Sequence, residues 1–194
     1  MSLSLKKGQK LSLQKDNSSL SKIRLGLGWD TQQFSNDSQF DLDVTAVILN
    51  SEGKCLDENI VFYNKLTSNC GAIVHTGDNR TGEGEGDDES IKVDLNKLPE
   101  SVAKIVFIVT IDEAVSRNQN FGQVENAFVR IIDEQNNDSE IAKFDLSEDF
   151  SIETAVVFCE LYRNNSNQWS FNAIGNGDNK VLADYFSLYG IEVA

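Results

Sequence analysis

Basic residues, histidine, proline and cysteine are all scarce in this 194-residue chain, and each shortage narrows what it can be. Only 17 Lys and Arg stand against 31 Asp and Glu, a formal charge of -14, which argues against a nucleic-acid backbone or an anionic bilayer as a direct partner. The one histidine, His75, lies in a strand-like IVHT, where a packed or hydrogen-bonded imidazole is commoner than a catalytic base. Cys55, Cys70 and Cys159 are widely spaced with no C-x-x-C pair. That pattern favours a reducing cytoplasm and three small, buried hydrophobes, and it offers no redox dithiol. No apolar run approaches the ~18 to 20 residues of a membrane span, and MSLSLKKGQK has no apolar block behind its lysines, so a signal peptide is not expected. Pro99 is the only proline, and nothing resembles a linker, repeat or composition break.

What the chain has in quantity is short apolar alternation. With 40% apolar and 25% charged residues it can bury a core without staples, and one domain over residues 1–194 is expected. Leu3 and Leu5, a turn at KKGQ, then Leu11 and Leu13 read as an opening hairpin. KIRLGLGW, FDLDVTAVIL, NIVFY, IKVDL, KIVFIVTI, AFVRIID, EIAKFDL, TAVVFCELY and WSFNAIG follow as strands at intervals that suit an all-β fold, a β-sandwich of two mainly antiparallel sheets. Helices are few and short. DLNKLPESV holds a helical turn, and DNKVLADYFSLYG reads as a helix near the C-terminus, capped by Asp178, stopped by Gly190, with Val181, Leu182, Tyr185, Phe186, Leu188 and Tyr189 on one stripe. In NQNFGQVENAFVRIID, Phe121, Val124, Phe128, Val129 and Ile131 read as core, and Glu125 and Asn126 as structural.

Against this background one segment stands out. From Asp78 to Glu89, in GDNRTGEGEGDDE, six carboxylates surround a single Arg80. The run joins two predicted strands, and Gly77, Gly82, Gly84 and Gly86 let its backbone curl with carbonyls inward. Calcium takes six to eight oxygens from carboxylates, amides, backbone carbonyls and water, and the loop supplies every type; magnesium, with its rigid octahedron, is served less well. The twelve-residue span has the length of an EF-hand, but Arg80 and Gly82 replace two expected ligands, Glu83 replaces the turn glycine and no helices flank it. A phosphate cradle fails as well, since G-E-G-E-G would surround an anion with negative charge. The plain alternative is a solvated acidic turn.

A second acidic pair tips the balance towards metal. Strand geometry in FDLDV puts Phe40, Leu42 and Val44 on one face and Asp41 and Asp43 on the other, about 7 Å apart. At an effective dielectric of 20 their repulsion is roughly 2.5 kcal/mol, which a shared divalent cation would reverse. Asp30, at the end of the preceding strand, is placed to join them; an ordinary exposed strand face is the bland alternative.

LSLxK near the start, G28-W29-D30, F40-D41-L42-D43, G77-D78-N79-R80-T81-G82 through G86-D87-D88-E89, L98-P99 and N120-F121-G122-Q123-V124-E125-N126-A127-F128-V129-R130 together resemble the TerD family of tellurium-resistance and stress proteins over nearly the whole chain. The resemblance implies a calcium-binding β-sandwich of the bacterial cytoplasm, working in tellurite-resistance and chemical-stress systems. It implies calcium ligands among Asp78, Asn79, Thr81, Asp87, Asp88 and Glu89, with Asp30, Asp41 and Asp43 completing one or two adjacent ions, two being expected. Gly82 and Gly84 would add carbonyls, and Asp112 and Glu113 would approach the same rim or start a helix. Arg80 would pair with a neighbouring carboxylate that is not itself an ion ligand, or face solvent. An acidic face does not attract an oxyanion, so a non-enzymatic module is expected, coupling calcium to stability and to assembly with other stress or tellurium-resistance proteins, some of them membrane-bound. A calcium-dependent hydrolase or a lectin-like sandwich is the alternative.

Overall fold

Alternating apolar residues in the computed structural model, which describes residues 3–4, 10–12, 20–30, 40–83 and 86–192, point into the gap between two sheets. In chain order the strands are β1 (Leu3–Ser4), β2 (Lys10–Ser12), β3 (Lys22–Asp30), β4 (Leu42–Leu49), β5 (Cys55–Val61), β6 (Ile73–His75), β7 (Glu89–Asp94), β8 (Lys104–Ile111), β9 (Glu125–Asp133), β10 (Ser139–Asp145), β11 (Ala155–Arg163) and β12 (Trp169–Asp178). Helices α1 (Ala114–Arg117), α2 (Leu146–Asp149) and α3 (Leu182–Leu188) are short, and Leu95–Lys97 forms the 3-10 turn expected in DLNKLPESV. One sheet runs β1-β10-β9-β3-β7-β6 and the other β2-β12-β11-β8-β4-β5. Every pairing is antiparallel except β1 with β10. This is the expected β-sandwich.

The two sheets are covered differently. On β3, Ile23, Leu25, Leu27 and Trp29 enter the central core, while the outer positions Gly26 and Gly28 lie under the β6–β7 loop. A Cβ on Gly26 would fall 2.2 Å from the Asp87 carboxyl carbon, and one on Gly28 would fall 2.5 Å from the Gly86 carbonyl oxygen. Glycine is required there because the loop backbone crosses the strand at contact distance. The second sheet is buried on both faces. Val47, Leu49, Val106, Ile108, Ala155 and Val157 point away from the central core into a second cluster closed by Tyr185, Phe186 and Ile191. All eight residues of β4 are buried in consequence, and KIVFIVTI reads as a continuous apolar run rather than an alternating one.

Four sequence expectations need correction. β1 and β2 are not a hairpin: β1 joins β10 in one sheet and β2 joins β12 in the other. Strands this short gain more by extending long ladders than by pairing alone; the KKGQ segment, Leu5 and Leu13 lie outside the described residues. Asp178 does not cap α3. It ends β12 opposite Ala155 and pairs with Lys180, while the helix starts after Val181, whose N–H donates to Asp184 Oδ2 at 3.0 Å. Gly190, at φ +79°, stops the helix as expected, but Leu188 is exposed and outside the apolar stripe. Phe128 is a partly buried residue of the outer face, with Lys143 Nζ 3.9 Å above its ring, because β9 alternates and Ala127 and Val129 take the core positions.

Candidate metal centre

Three neighbouring features bring carboxylates to one end of the sandwich. FDLDV enters β4 with Phe40, Leu42 and Val44 in the core, so Asp41 and Asp43 emerge together on the other side, as the strand period requires. Asp112 follows β8, which pairs with β4, and its N–H donates to the Asp41 carbonyl at 2.8 Å. Asp78 comes from the loop between β6 and β7. One carboxylate oxygen from each of Asp41, Asp43 and Asp78 lies within 4.8 Å of the others. They border a cavity of about 340 Å³ whose remaining walls are Tyr63, Asn64, Arg80 and Asp112.

This cluster is electrostatically unbalanced. Asp41 and Asp43 are buried, at 6% and 5% exposure, and Asp41 Oδ1 has no hydrogen-bond partner. Burial first, then the charges of Glu89, Asp41, Asp112 and Asp78, push the Asp43 carboxyl up from 3.8 to about 8. Burial likewise raises Asp41 to about 6, opposed by Arg80, whose Nε lies 3.3 Å from Asp41 Oδ2. The Tyr63 phenol is also raised, mainly by burial and then by Asp43. Among the described residues no Lys, Arg or His side chain comes within 4.0 Å of the Asp43 or Asp78 carboxylates. Buried, unpartnered carboxylate oxygen converging on open space suits a hard cation such as calcium.

The other expected ligands are distributed around this cluster in a bonded frame. Glu89, 1% exposed, accepts from Val44 N at 3.0 Å and from Asn79 N at 3.2 Å, and its Oε2 lies 3.3 Å from His75 Nε2. His75 Nδ1 accepts from Gly77 N at 3.1 Å, and its buried Nε2 makes no hydrogen bond. Asn79 Oδ1 accepts from the Thr81 and Gly82 amides, and its Nδ2 donates to Asp88 Oδ1 at 3.0 Å. Asp88 Oδ2 accepts from Trp29 N at 2.9 Å, while burial raises its carboxyl above the usual range. Gly82, at φ +64°, packs against the Trp29 indole so closely that a Cβ would fall 2.3 Å from Nε1. Asp87 carries two guanidiniums, Arg24 Nη1 at 2.8 Å and Arg130 Nε at 2.6 Å. Asp30 ends β3 and accepts from Asn126 Nδ2 at 2.6 Å. Gly84 lies outside the described residues.

The geometry thus assembles Asp41, Asp43 and Asp78, with Asp112 on the wall, and sets Asp30, Asn79, Thr81, Gly82, Asp87, Asp88 and Glu89 in the surrounding frame. Tyr63 and Asn64 have no sequence signal. They reach the cavity on a tight turn closed by reciprocal bonds between Phe62 and Lys65, beyond the end of β5.

A two-sheet sandwich with an acidic cluster where a glycine-rich loop meets two strand ends defines a class of oxygen-rich sandwich domain. Residues 1–189 match the TerD domain family. The chain is 50% identical to the tellurium resistance protein TerD of Serratia marcescens, with 100% of each chain covered. It is also 50% identical to general stress protein 16U of Bacillus subtilis, again over 100% of both chains. Among solved structures, a homologue of telluride resistance protein (TerD) from Streptomyces coelicolor superposes with a TM-score of 0.74 at 22% identity, covering 89% of this chain and 99% of that one, a likeness of fold. The chain belongs to the TerD family of tellurium-resistance and stress-response proteins. No helix among the described residues is long and apolar enough to cross a membrane.

Proposed function

We propose that this chain is a calcium-binding module of a bacterial tellurite-resistance and chemical-stress system, in which Asp41, Asp43 and Asp78 hold the ion. The observation that carries this reading is the buried Asp41 Oδ1, without a partner, beside an Asp43 carboxyl raised to about 8. A fold that leaves such oxygens together is stabilised by whatever divalent cation takes them. Asp112 and Asn64 also line the cavity and, with water, would supply further oxygens, and a cavity of this size suits calcium's larger, flexible shell better than magnesium's octahedron. A second ion would fall near Asp30 and Asp88, whose oxygens already accept hydrogen bonds, so the first cluster is the principal site.

Binding rather than catalysis is the better reading. The described residues lining the cavity include no Ser, Cys or His to act as nucleophile or base, and His75 is 2% exposed. Occupancy would draw the β6–β7 loop onto the end of β4 and present one ordered acidic surface to partner proteins of the same response, in the cytoplasm or at its membrane. The experiment is a calorimetric titration with calcium and magnesium, paired with thermal melts. Calcium at 100 times its Kd should stabilise the fold by about 2.7 kcal/mol. A melt unchanged between EGTA and millimolar calcium, with no heat of binding, would refute the reading.

A further inference from the structure

Arg80 interrupts the acidic run, and the metal reading gives it no role. Its side chain is 69% exposed, yet its Nε sits 3.3 Å from the Oδ2 of Asp41, whose own side chain is 8% exposed. The loop directs it there. Asn79, its neighbour, is held by Glu89 and Asp88, and Gly82, two residues on, is pressed onto Trp29. With the backbone pinned on both sides, Arg80 lines the cavity that Asp41, Asp43 and Asp78 border, its guanidinium against one edge of Asp41.

Building on the metal reading, we propose that Arg80 is a built-in competitor for that site, a covalently attached cation that must leave Asp41 before a divalent ion can use both of its oxygens. A guanidinium offers only N–H donors and a single charge, so it takes one edge of the cluster. It cannot gather the oxygens of Asp41, Asp43 and Asp78 at once, as a six- to eight-coordinate ion can. Because the side chain is exposed, it can swing into solvent without moving the pinned backbone. Arg80 thereby sets the threshold concentration at which the site fills, and filling releases a free guanidinium at the rim. Arg117, whose Nη2 lies 3.5 Å from Asp112 Oδ2 and 2.9 Å from Glu113 Oε2, brings the same charge to the same rim without touching Asp41.

The test compares calcium affinity, by calorimetry on the full chain, for wild type, Arg80→Gln, Arg80→Lys and Arg117→Gln. Competition predicts roughly 2- to 5-fold tighter binding for Arg80→Gln, an affinity near wild type for Arg80→Lys, and a smaller gain for Arg117→Gln. It also predicts that calcium accelerates solvent exchange of the Arg80 Nε–H in the NMR spectrum, the signal being assigned by its loss in Arg80→Gln. Weaker or equal binding by Arg80→Gln, or an equal gain in Arg117→Gln, overturns the competition while leaving the calcium site in place. Absence of binding in every variant and in the wild type overturns the calcium reading itself.

Discussion

The two ends of the β6–β7 loop hold the same kind of side chain in opposite conditions. At its far end Asp87, Asp88 and Glu89 are met by Arg24 and Arg130, by the Trp29 and Asn79 groups and by the Val44 amide. At its near end Asp78 joins Asp41 and Asp43, where one oxygen lacks any partner and the nearest basic group, Arg80, reaches a single edge. A count of carboxylates cannot separate these conditions; the donors that surround each one do. The balanced end clamps the loop across β3, and the unbalanced end holds repulsion that a cation can relieve.

The largest effect expected from breaking this contrast is at the balanced end. Asp87→Ala removes the carboxylate shared by Arg24 and Arg130, side chains 19% and 28% exposed, leaving Arg24 to Glu134 and Asp138 and Arg130 to Glu140. About 3 kcal/mol of stability should be lost, to a similar extent with and without calcium, as read by urea denaturation. A calcium-dependent loss would place Asp87 among the ligands instead. At the unbalanced end the sign reverses: Asp43→Asn removes a group that must either take up a proton or add a like charge in the buried cluster, and should stabilise the chain in EGTA by about 2 kcal/mol, while abolishing the calcium-induced rise in Tm. Destabilisation in EGTA would show that the cluster is not under repulsion.

The smallest effect is that of pH. Asp43 and Asp41 titrate near 8 and 6 in the folded chain, against an ordinary 3.8, so above 3.8 the folded state holds protons that the unfolded chain has released. Stability is then lost as pH rises through 6 and on through 8. Between pH 7 and 8 the step should be about 1 kcal/mol in EGTA, or about 2 to 4 °C in Tm, and millimolar calcium should suppress it. A Tm independent of pH over that unit in EGTA would remove the electrostatic distinction between the two ends.

Much of this was legible in the residues because it is local. The period of two in FDLDV places Asp41 and Asp43 on one face, and the glycines between IVHT and SIKVDL mark a loop. Partners far along the chain were not legible. Asp87 reads as a ligand until strand order brings Arg24 and Arg130, 63 and 43 residues away, beneath it. Tyr63 and Asn64 carry no pattern at all, since a tight turn rather than a periodic face delivers them. The opening strands misled for a related reason: their pairing is decided by which sheet edges stand open. The family motif identified the family correctly because it samples these distant segments together, over residues 1–189.

Layering also divides mechanical roles at the cluster. Asp41 and Asp43 stand at the root of β4, whose sheet is sandwiched between the central core and α3, so their backbone belongs to the stiffest part of the molecule. Asp78, by contrast, is exposed on the loop, between Gly77, whose N–H donates to His75 Nδ1, and Asn79, whose N–H donates to Glu89 Oε1. An ion taken up as proposed would therefore bridge a buried strand root to an exposed loop residue.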